Sequence, residues 1–303
     1  MPDNHDVPAN HQVPGTHDVP GGHGTQAGPG GRRDQGVAAR RPDAASARAS
    51  LFLAPERTER PPWERRLLGA AAPLRLTAEV SAVSWGAGGP VLLVHGWQGR
   101  GTQLGQFVGP LVRSGRQVIA VDAPGHGDSP VGWFTPVAFA DALLGVMEQF
   151  GALDGIVAHS MGAVAVTAAV RGGLRTASLA LIAPIRSFTG MVRRSGRSLG
   201  YPPGTPEGAE YLRLASQALG RPLADLDLDL SLMGGARVLL AHDADDETVP
   251  AASTRQLAQD WPDAAFVETT GLGHAGILVD PAVVGAVVSH IAAARATSPQ
   301  PSA

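Results

Sequence analysis

The stretch IVAHSMGA, residues 156–163, decides the fold that we predict for this chain. A short apolar run ends at Ala158 and passes through Ser160 and Gly162 into an Ala- and Val-rich segment typical of a helix. A serine in so tight a strand-to-helix turn is forced towards a strained backbone, which requires small residues two places on either side. The pattern therefore predicts a nucleophile elbow, with the Ser160 hydroxyl facing the N-terminal amides of the following helix.

The same strand-then-helix pattern recurs along the chain. Unbroken apolar runs, each followed by Gly, Pro or Asp and then by a helical pattern, predict strands at 90–94, 117–121, 155–158, 178–182, 236–241 and 265–268. Two alternating stretches before them, 74–80 and 82–85, predict an antiparallel entry to the sheet. Continuous hydrophobicity indicates strands covered on both faces, as in a parallel sheet between two layers of helices. In such a sheet the chemistry gathers at the carboxyl ends of the strands.

Chemically active residues follow these predicted strands. The segments are HGWQGRG at 95–101, DAPGHGDS at 122–129, HDADDETVP at 242–250 and GLGH at 271–274. A glycine-rich loop such as the first lets backbone amides turn inward, so the N–H groups of Trp97 and Met161 are predicted to form an oxyanion hole.

In this order, these segments resemble the α/β-hydrolase superfamily from about residue 74 to residue 293, and within it an esterase- or lipase-like bacterial branch of serine hydrolases. The resemblance implies a mostly parallel eight-stranded sheet with helices on both faces and a small helical cap. It implies a catalytic triad of Ser160, Asp246 and His274, with His95 and Gly96 on the substrate-binding side. It implies neither a cofactor nor a metal.

The triad makes chemical sense because a serine hydroxyl is a poor nucleophile until an imidazole takes its proton. A carboxylate must then fix the tautomer of that imidazole. Asp246 stands four places before Pro250, where the acid of the superfamily falls, and ranks first. Asp243, directly after a strand, ranks second, and Asp122 at a neighbouring strand end remains an alternative.

The domain organisation follows from composition. Residues 1–50 are rich in Pro, Gly and His, repeat the pattern His-x-Val-Pro every six residues, and are predicted to be a disordered tail. An N-terminal arm is expected at 51–73, the α/β core at 74–183 and 236–296, a cap insertion at 184–235, and a disordered C-terminus at 297–303.

Composition also narrows the function classes. The chain has 303 residues, 44% of them hydrophobic, with a formal net charge of −3 and no cysteine. The absence of a basic stripe argues against a nucleic-acid partner, and no run of about 18 apolar residues predicts a membrane span. The absence of cysteine excludes disulfides and thiolate metal sites. We therefore expect a soluble cytoplasmic protein; the oligomeric state is left open.

The sequence thus predicts a serine hydrolase that cleaves a carboxylic ester or thioester, acting on a small-molecule acyl substrate. Three alternatives stay open: acyl transfer, a lyase reaction on the same triad, and a catalytically idle ligand-binding member of the fold. The first two differ from hydrolysis in pocket shape and water access rather than in catalytic residue types.

Overall fold

The computed structural model describes residues 41–51, 53–76 and 79–294. Eight strands in this part of the chain form one sheet: β1 Ala72–Leu74, β2 Ala82–Trp85, β3 Gly89–Val94, β4 Arg116–Val121, β5 Gly155–His159, β6 Ser178–Ile182, β7 Arg237–Asp243 and β8 Ala265–Thr269. Their order across the sheet is β1-β2-β4-β3-β5-β6-β7-β8. β2 pairs antiparallel with both β1 and β4, and all the other neighbouring strands pair in parallel. The predicted mostly parallel eight-stranded sheet is confirmed.

Helices connect these strands. The α-helices of the described residues are α1 Ala44–Ala49, α2 Pro62–Gly69, α3 Val108–Arg113, α4 Pro136–Phe150, α5 Met161–Arg171, α6 Phe188–Ser198, α7 Pro206–Leu219, α8 Ala252–Asp260, α9 Gly273–Gly276 and α10 Pro281–Ala292. Short 3₁₀ helices cover Gly101–Phe107, Leu223–Leu226 and Leu230–Met233. Within the described ranges, no helix has the length and apolar character that crossing a bilayer requires.

The sheet lies between two helical layers because alternate strand residues pack on opposite faces. Val91 and Leu93 of β3 belong to the cluster formed with α3 and α10. Leu92 and Val94 belong to the cluster formed with α4 and α5. All four side chains have no exposed surface. The unbroken apolar run of β3 is therefore explained by burial on both faces.

A threonine–proline pair marks the N-terminus of two of the long helices. Thr135 precedes Pro136 at the start of α4, and Thr205 precedes Pro206 at the start of α7. In each case the threonine hydroxyl oxygen accepts a hydrogen bond from the backbone N–H three residues on. Proline is favourable at the first helical position because the N–H that it lacks would have no partner there.

Two predicted boundaries near the N-terminus are wrong. Residues 44–49, assigned to the disordered tail, form α1, which contacts α7 and begins at Asp43, a capping residue that accepts from the N–H of Ser46. The first strand spans only Ala72–Leu74 instead of 74–80, because β2 offers it just three paired residues. The remaining tail, residues 1–40, and the predicted C-terminal segment 297–303 lie outside the described residues.

The predicted insertion at 184–235 joins β6 to β7 and is helical, carrying α6 and α7. At its start, the N–H of Ile185 donates to the carbonyl oxygen of Ser160 at 3.4 Å. The insertion packs on the domain through contacts of α5 with the 3₁₀ helices Leu223–Leu226 and Leu230–Met233. Its role as a cap over a substrate stays a prediction.

Candidate active site

The turn between β5 and α5 has the strained geometry that the sequence predicts. Ser160 has φ 53° and ψ −117°, a left-handed conformation that residues with a side chain rarely adopt. Such a conformation costs roughly 1–3 kcal/mol and persists only where the surroundings enforce it. Close packing of the elbow against β3 requires glycine at position 162, since a Cβ there would lie 2.6 Å from the carbonyl oxygen of Val94. The Ser160 side chain is thereby held above the end of the sheet.

The loop after β3 approaches Ser160 from the opposite side. A Cβ on Gly96 would lie 2.9 Å from the Cβ of Ser160 and 3.1 Å from Nδ1 of His159. No side chain fits in that gap, so glycine is required for the loop to reach the elbow. The backbone of Gly96, one of the predicted substrate-binding residues, therefore lies directly beside the Ser160 side chain.

The three side chains of the predicted triad converge. Nε2 of His274 lies 3.0 Å from Oγ of Ser160, and Nδ1 of His274 lies 2.6 Å from Oδ2 of Asp246. A carboxylate can only accept, so Nδ1 carries the ring proton and Nε2 keeps a lone pair. That lone pair accepts the Ser160 hydroxyl proton. The arrangement can deprotonate the serine as it attacks and stabilise the imidazolium that results.

Asp246 is held as a carboxylate. Its Oδ1 accepts from the N–H groups of Thr248 and Val249, both at 2.8 Å. Burial alone would raise its pKa, but the N–H of Val249, the His274 imidazole and the N–H of Thr248 together outweigh burial and lower it. Asp246 is therefore ionised at neutral pH, as the partner of an imidazolium must be.

The two other acids that the sequence left open have different neighbours. Asp243 accepts from the N–H of Gly273 at 3.0 Å, and Asp122 accepts from the N–H of Gly101 at 2.7 Å. Among the described contacts, neither carboxylate reaches the imidazole of His274. Both are buried and brace backbone loops.

Two backbone amides are the predicted donors of an oxyanion hole. Within the described part of the chain, the N–H groups of Trp97 and Met161 donate to no protein acceptor. The next amide along, that of Gln98, donates instead to Nε2 of His126 at 3.2 Å. Met161 is the first residue of α5, whose N-terminal amides carry partial positive charge. Their role as oxyanion donors stays a prediction.

His95 differs from its prediction as a substrate-binding residue. Its side chain is buried; Nδ1 donates to the carbonyl oxygen of Gly96 at 2.7 Å, and Nε2 accepts from the N–H of Ala123 at 2.9 Å. Burial, reinforced by neighbouring His126, lowers its pKa to about 3. A neutral ring with both nitrogens engaged within the protein braces the loop after β3 and has no free atom for a substrate. The sequence is compatible with either role, because a histidine that follows a strand can brace its loop or face a substrate.

His159, assigned to packing from the sequence, also touches the triad. Its Nε2 donates to the backbone carbonyl oxygen of His274 at 3.0 Å, and the two rings lie 4.6 Å apart. Burial, followed by the nearby His274, lowers the pKa of His159 to about 3. The neutral ring adds no second positive charge beside the imidazolium. Its position next to Ser160 was the only signal available in the sequence.

Comparison with known proteins identifies the family and the fold. A model of the alpha/beta hydrolase family matches residues 91–287. One curated relative, the non-heme chloroperoxidase CPO-A1 of Kitasatospora aureofaciens, is 36% identical over 87 residues, which are 28% of this chain and 32% of that protein. The match thus spans about a third of the relative's length.

Solved structures share the fold. An esterase from Thermogutta terrifontis is 21% identical with a TM-score of 0.51, over 72% of this chain and 97% of its own. A bromoperoxidase from Bacillus anthracis is 19% identical with a TM-score of 0.53, and the match covers 73% of this chain and 99% of the bromoperoxidase. A monoacylglycerol lipase from Paleococcus ferrophilus is 22% identical with a TM-score of 0.51, over 70% and 99%.

Because the family model matches well over half of its length, the chain belongs to the alpha/beta hydrolase family. The structural likenesses, at these identities, establish the fold and not the reaction. In the described residues, no group of three or more His, Asp or Glu side chains is placed to hold a metal ion.

Proposed function

We propose that the protein is a serine hydrolase that cleaves a carboxylic ester or thioester through an acyl-enzyme on Ser160. The observation that carries the proposal is the continuous contact from Ser160 Oγ to His274 Nε2, at 3.0 Å, and from His274 Nδ1 to Asp246, at 2.6 Å. Both distances lie within hydrogen-bond reach, as a nucleophile, its base and the group that orients the base require.

The acylation step follows from this contact. Ser160 Oγ attacks the acyl carbonyl carbon while His274 Nε2 takes the hydroxyl proton. The carbonyl oxygen gains negative charge and accepts hydrogen bonds from the amides of Trp97 and Met161. The carbon–oxygen or carbon–sulfur bond to the leaving group then breaks, and the leaving group receives the proton from His274. The alcohol or thiol departs and the acyl group remains on Ser160.

Deacylation repeats the proton relay with water as the nucleophile and Ser160 as the leaving group. A water molecule loses a proton to His274 Nε2 as its oxygen attacks the acyl carbon. The bond to Ser160 Oγ breaks, His274 returns the proton to that oxygen, and the carboxylic acid leaves. In both steps the negative charge of the Asp246 carboxylate stabilises the imidazolium of His274. Asp246 itself stays ionised and takes up no proton.

The proposal is tested by Ser160→Ala with p-nitrophenyl acetate and butyrate as substrates. We expect kcat to fall roughly 10⁴-fold or more, because no other group replaces the nucleophile. A fluorophosphonate probe should label the wild type at Ser160 with one-to-one stoichiometry. The matched control is Ser178→Ala, which removes a buried hydroxyl of β6 that has no partner among the described residues. Equal turnover by both variants and the wild type would end the proposal.

A second candidate, halide peroxidation, rests on the relative whose name is non-heme chloroperoxidase. Its assay is halogenation of monochlorodimedone with hydrogen peroxide and chloride or bromide, run on the wild type and on Ser160→Ala. Halogenation that needs Ser160, together with negligible ester hydrolysis, would favour this candidate over the first.

A further inference from the structure

Asp243 is a buried carboxylate that the proposed reaction does not use. It is the last residue of β7, and no part of it is exposed to solvent. No cationic side chain of the described residues forms an ion pair with it. A charge in such a place is unfavourable unless hydrogen-bond donors replace the lost water. Asp243 lies three residues before Asp246, so the location of its hydrogen-bond donors shows which parts of the site it holds in place.

Four donors surround this carboxylate. Oδ1 accepts from the N–H groups of Asp245 and Gly273, at 3.1 and 3.0 Å. Oδ2 accepts from the hydroxyl of Thr269 at 2.8 Å and from the N–H of Leu272 at 3.2 Å. Burial alone would raise the pKa of Asp243, but these four bonds, led by that of Thr269, lower it below its ordinary value.

The donors lie on the two loops that carry Asp246 and His274. Three of them come from the segment 269–273, which we call the histidine loop because His274 follows it directly. The fourth comes from the loop between β7 and Asp246. One side chain thereby fixes the backbone on both sides of the contact between His274 and Asp246, with the N–H of Gly273 adjacent to His274 itself.

Packing constrains the two glycines of the histidine loop little, although Leu272 between them packs against the cluster formed with α3 and α10. Gly271 and Gly273 both have positive φ, 77° and 66°, and a Cβ on either would meet nothing within 4 Å. The strand before the loop, β8, is at the edge of the sheet and has no buried residue. Three hydrogen bonds to Asp243 hold this segment, together with one from the N–H of Gly271 to Asp245 at 2.8 Å and one from the N–H of Ala244 to the carbonyl oxygen of Thr269 at 2.7 Å.

We propose that Asp243 is a positioning residue whose carboxylate sets the histidine loop so that His274 reaches both Ser160 and Asp246. The proposal rests on the proposed function for its kinetic consequence, though not for the geometry itself. It assigns to Asp243 the task of orienting the base, whereas Asp246 stabilises the imidazolium.

The test is Asp243→Asn, which keeps the shape of the side chain but turns an NH₂ group towards backbone N–H donors. We expect kcat for p-nitrophenyl butyrate to fall about 10- to 100-fold with KM within about 2-fold, because a base displaced by about 1 Å loses that much rate. The control is Leu143→Ala in α4, which creates a buried cavity far along the chain from the histidine loop. Each variant is assayed 20 °C below its own Tm.

A readout that is independent of turnover separates this proposal from the proposed function. In protein labelled with ¹⁵N-histidine, the proton on Nδ1 of His274 should give a downfield resonance in the wild type and in Leu143→Ala, and should broaden or disappear in Asp243→Asn. Its loss supports the positioning role even if the wild type neither hydrolyses esters nor labels with fluorophosphonate. An unchanged resonance overturns the role, and so does a kcat no lower than that of Leu143→Ala if the wild type hydrolyses the ester.

If Asp243→Asn does not fold, Thr269→Val provides the second variant. It removes one donor and leaves the carboxylate in place. We expect a 3- to 10-fold lower kcat and a shifted His274 resonance. A kcat within 2-fold of the wild type together with an unshifted resonance would overturn the proposal.

Discussion

Two loops lie next to Ser160, and they are held in different ways. The loop 95–101, which we call the amide loop because Trp97 lies in it, follows β3 in the middle of the sheet. The histidine loop follows β8 at the edge. The last four residues of β3 are buried, whereas β8 has no buried residue. The amide loop therefore starts from the packed core, and the histidine loop starts from a strand that is open to solvent.

The anchors of the two loops differ accordingly. The amide loop ends at Arg100, whose guanidinium forms two hydrogen bonds with Glu64 of α2, at 2.6 and 2.7 Å. Thr102 donates to the same carboxylate at 2.6 Å. Both charged side chains are almost completely buried. Asp243, the anchor of the histidine loop, is equally buried but is satisfied by uncharged donors alone.

This difference teaches which property each anchor controls. The Glu64–Arg100 pair joins α2 of the N-terminal arm to the centre of the sheet, so losing it should destabilise the whole domain. The bonds to Asp243 join two loops at the edge, so losing them should disturb the position of His274 more than the fold. The predictions below break or sharpen this contrast, in order of decreasing effect.

The largest effect is expected for Glu64→Ala. It leaves the Arg100 guanidinium buried without its carboxylate, and breaking a buried pair in this way costs about 3–5 kcal/mol. Urea denaturation at pH 7 should show a free energy of unfolding lower by that amount. The matched control is Glu210→Ala, which breaks a solvent-exposed pair with Arg213 on α7 and should leave the free energy of unfolding nearly unchanged. Equal effects of the two substitutions would contradict the contrast.

The second expected effect is a different pH dependence of the stability that each loop contributes. The pKa of His95 in the amide loop is about 3 in the folded protein and 6.5 ordinarily, so the unfolded chain binds more protons between these values. Stability is complete above pH 6.5 and is lost as the pH falls towards 3, by about 1.4 kcal/mol per pH unit for this ring. Asp243 and Asp246 have lowered pKa values, so their contribution is lost only below about pH 4.

His95→Asn measures that share. Between pH 6.5 and 5 the wild type should lose about 2 kcal/mol through His95, in addition to the loss through His159 and other buried histidines. The variant should be less stable at pH 7, because the shorter asparagine side chain does not reproduce both hydrogen bonds of the His95 ring. Its free energy of unfolding should nevertheless fall less steeply as the pH is lowered. Urea denaturation at pH 7, 6 and 5 gives both slopes, and parallel slopes would show that His95 is not protonated on unfolding.

The parts of the molecule with repeating patterns were predictable from the sequence. The elbow at Ser160 and the central strands follow from apolar runs that are buried on both faces. β1 and α1 were not predictable, since Ala72–Leu74 is too short for a pattern and Ala44–Ala49 follows a Pro- and Gly-rich stretch. In both cases contact with a distant segment, rather than local preference, stabilises the element.

The contact of Ser160, His274 and Asp246 was predictable, but the neighbours of the other polar residues were not. The resemblance ranked Asp246 first, since the acid of the superfamily falls four places before Pro250, yet residue types alone do not reveal that Asp243 faces backbone amides and Asp246 an imidazole. That distinction depends on the path of the backbone from Asp243, the last residue of β7, to Asp246 in the following loop. Glu64 and Arg100 are 36 residues apart, and nothing in either local sequence indicates that they pair.

The smallest effect is expected at the edge strand itself. Arg255 of α8 donates to Glu268 of β8 at 2.5 Å, but both side chains remain more than a third exposed. Exposed pairs contribute about 0–1 kcal/mol and are screened by salt, so Arg255→Ala should lower the free energy of unfolding by less than about 1 kcal/mol. The value should shrink further in 0.5 M NaCl. A loss as large as that of Glu64→Ala would mean that β8 depends on this pair, and that the edge of the sheet is held by charge rather than by the hydrogen bonds to Asp243.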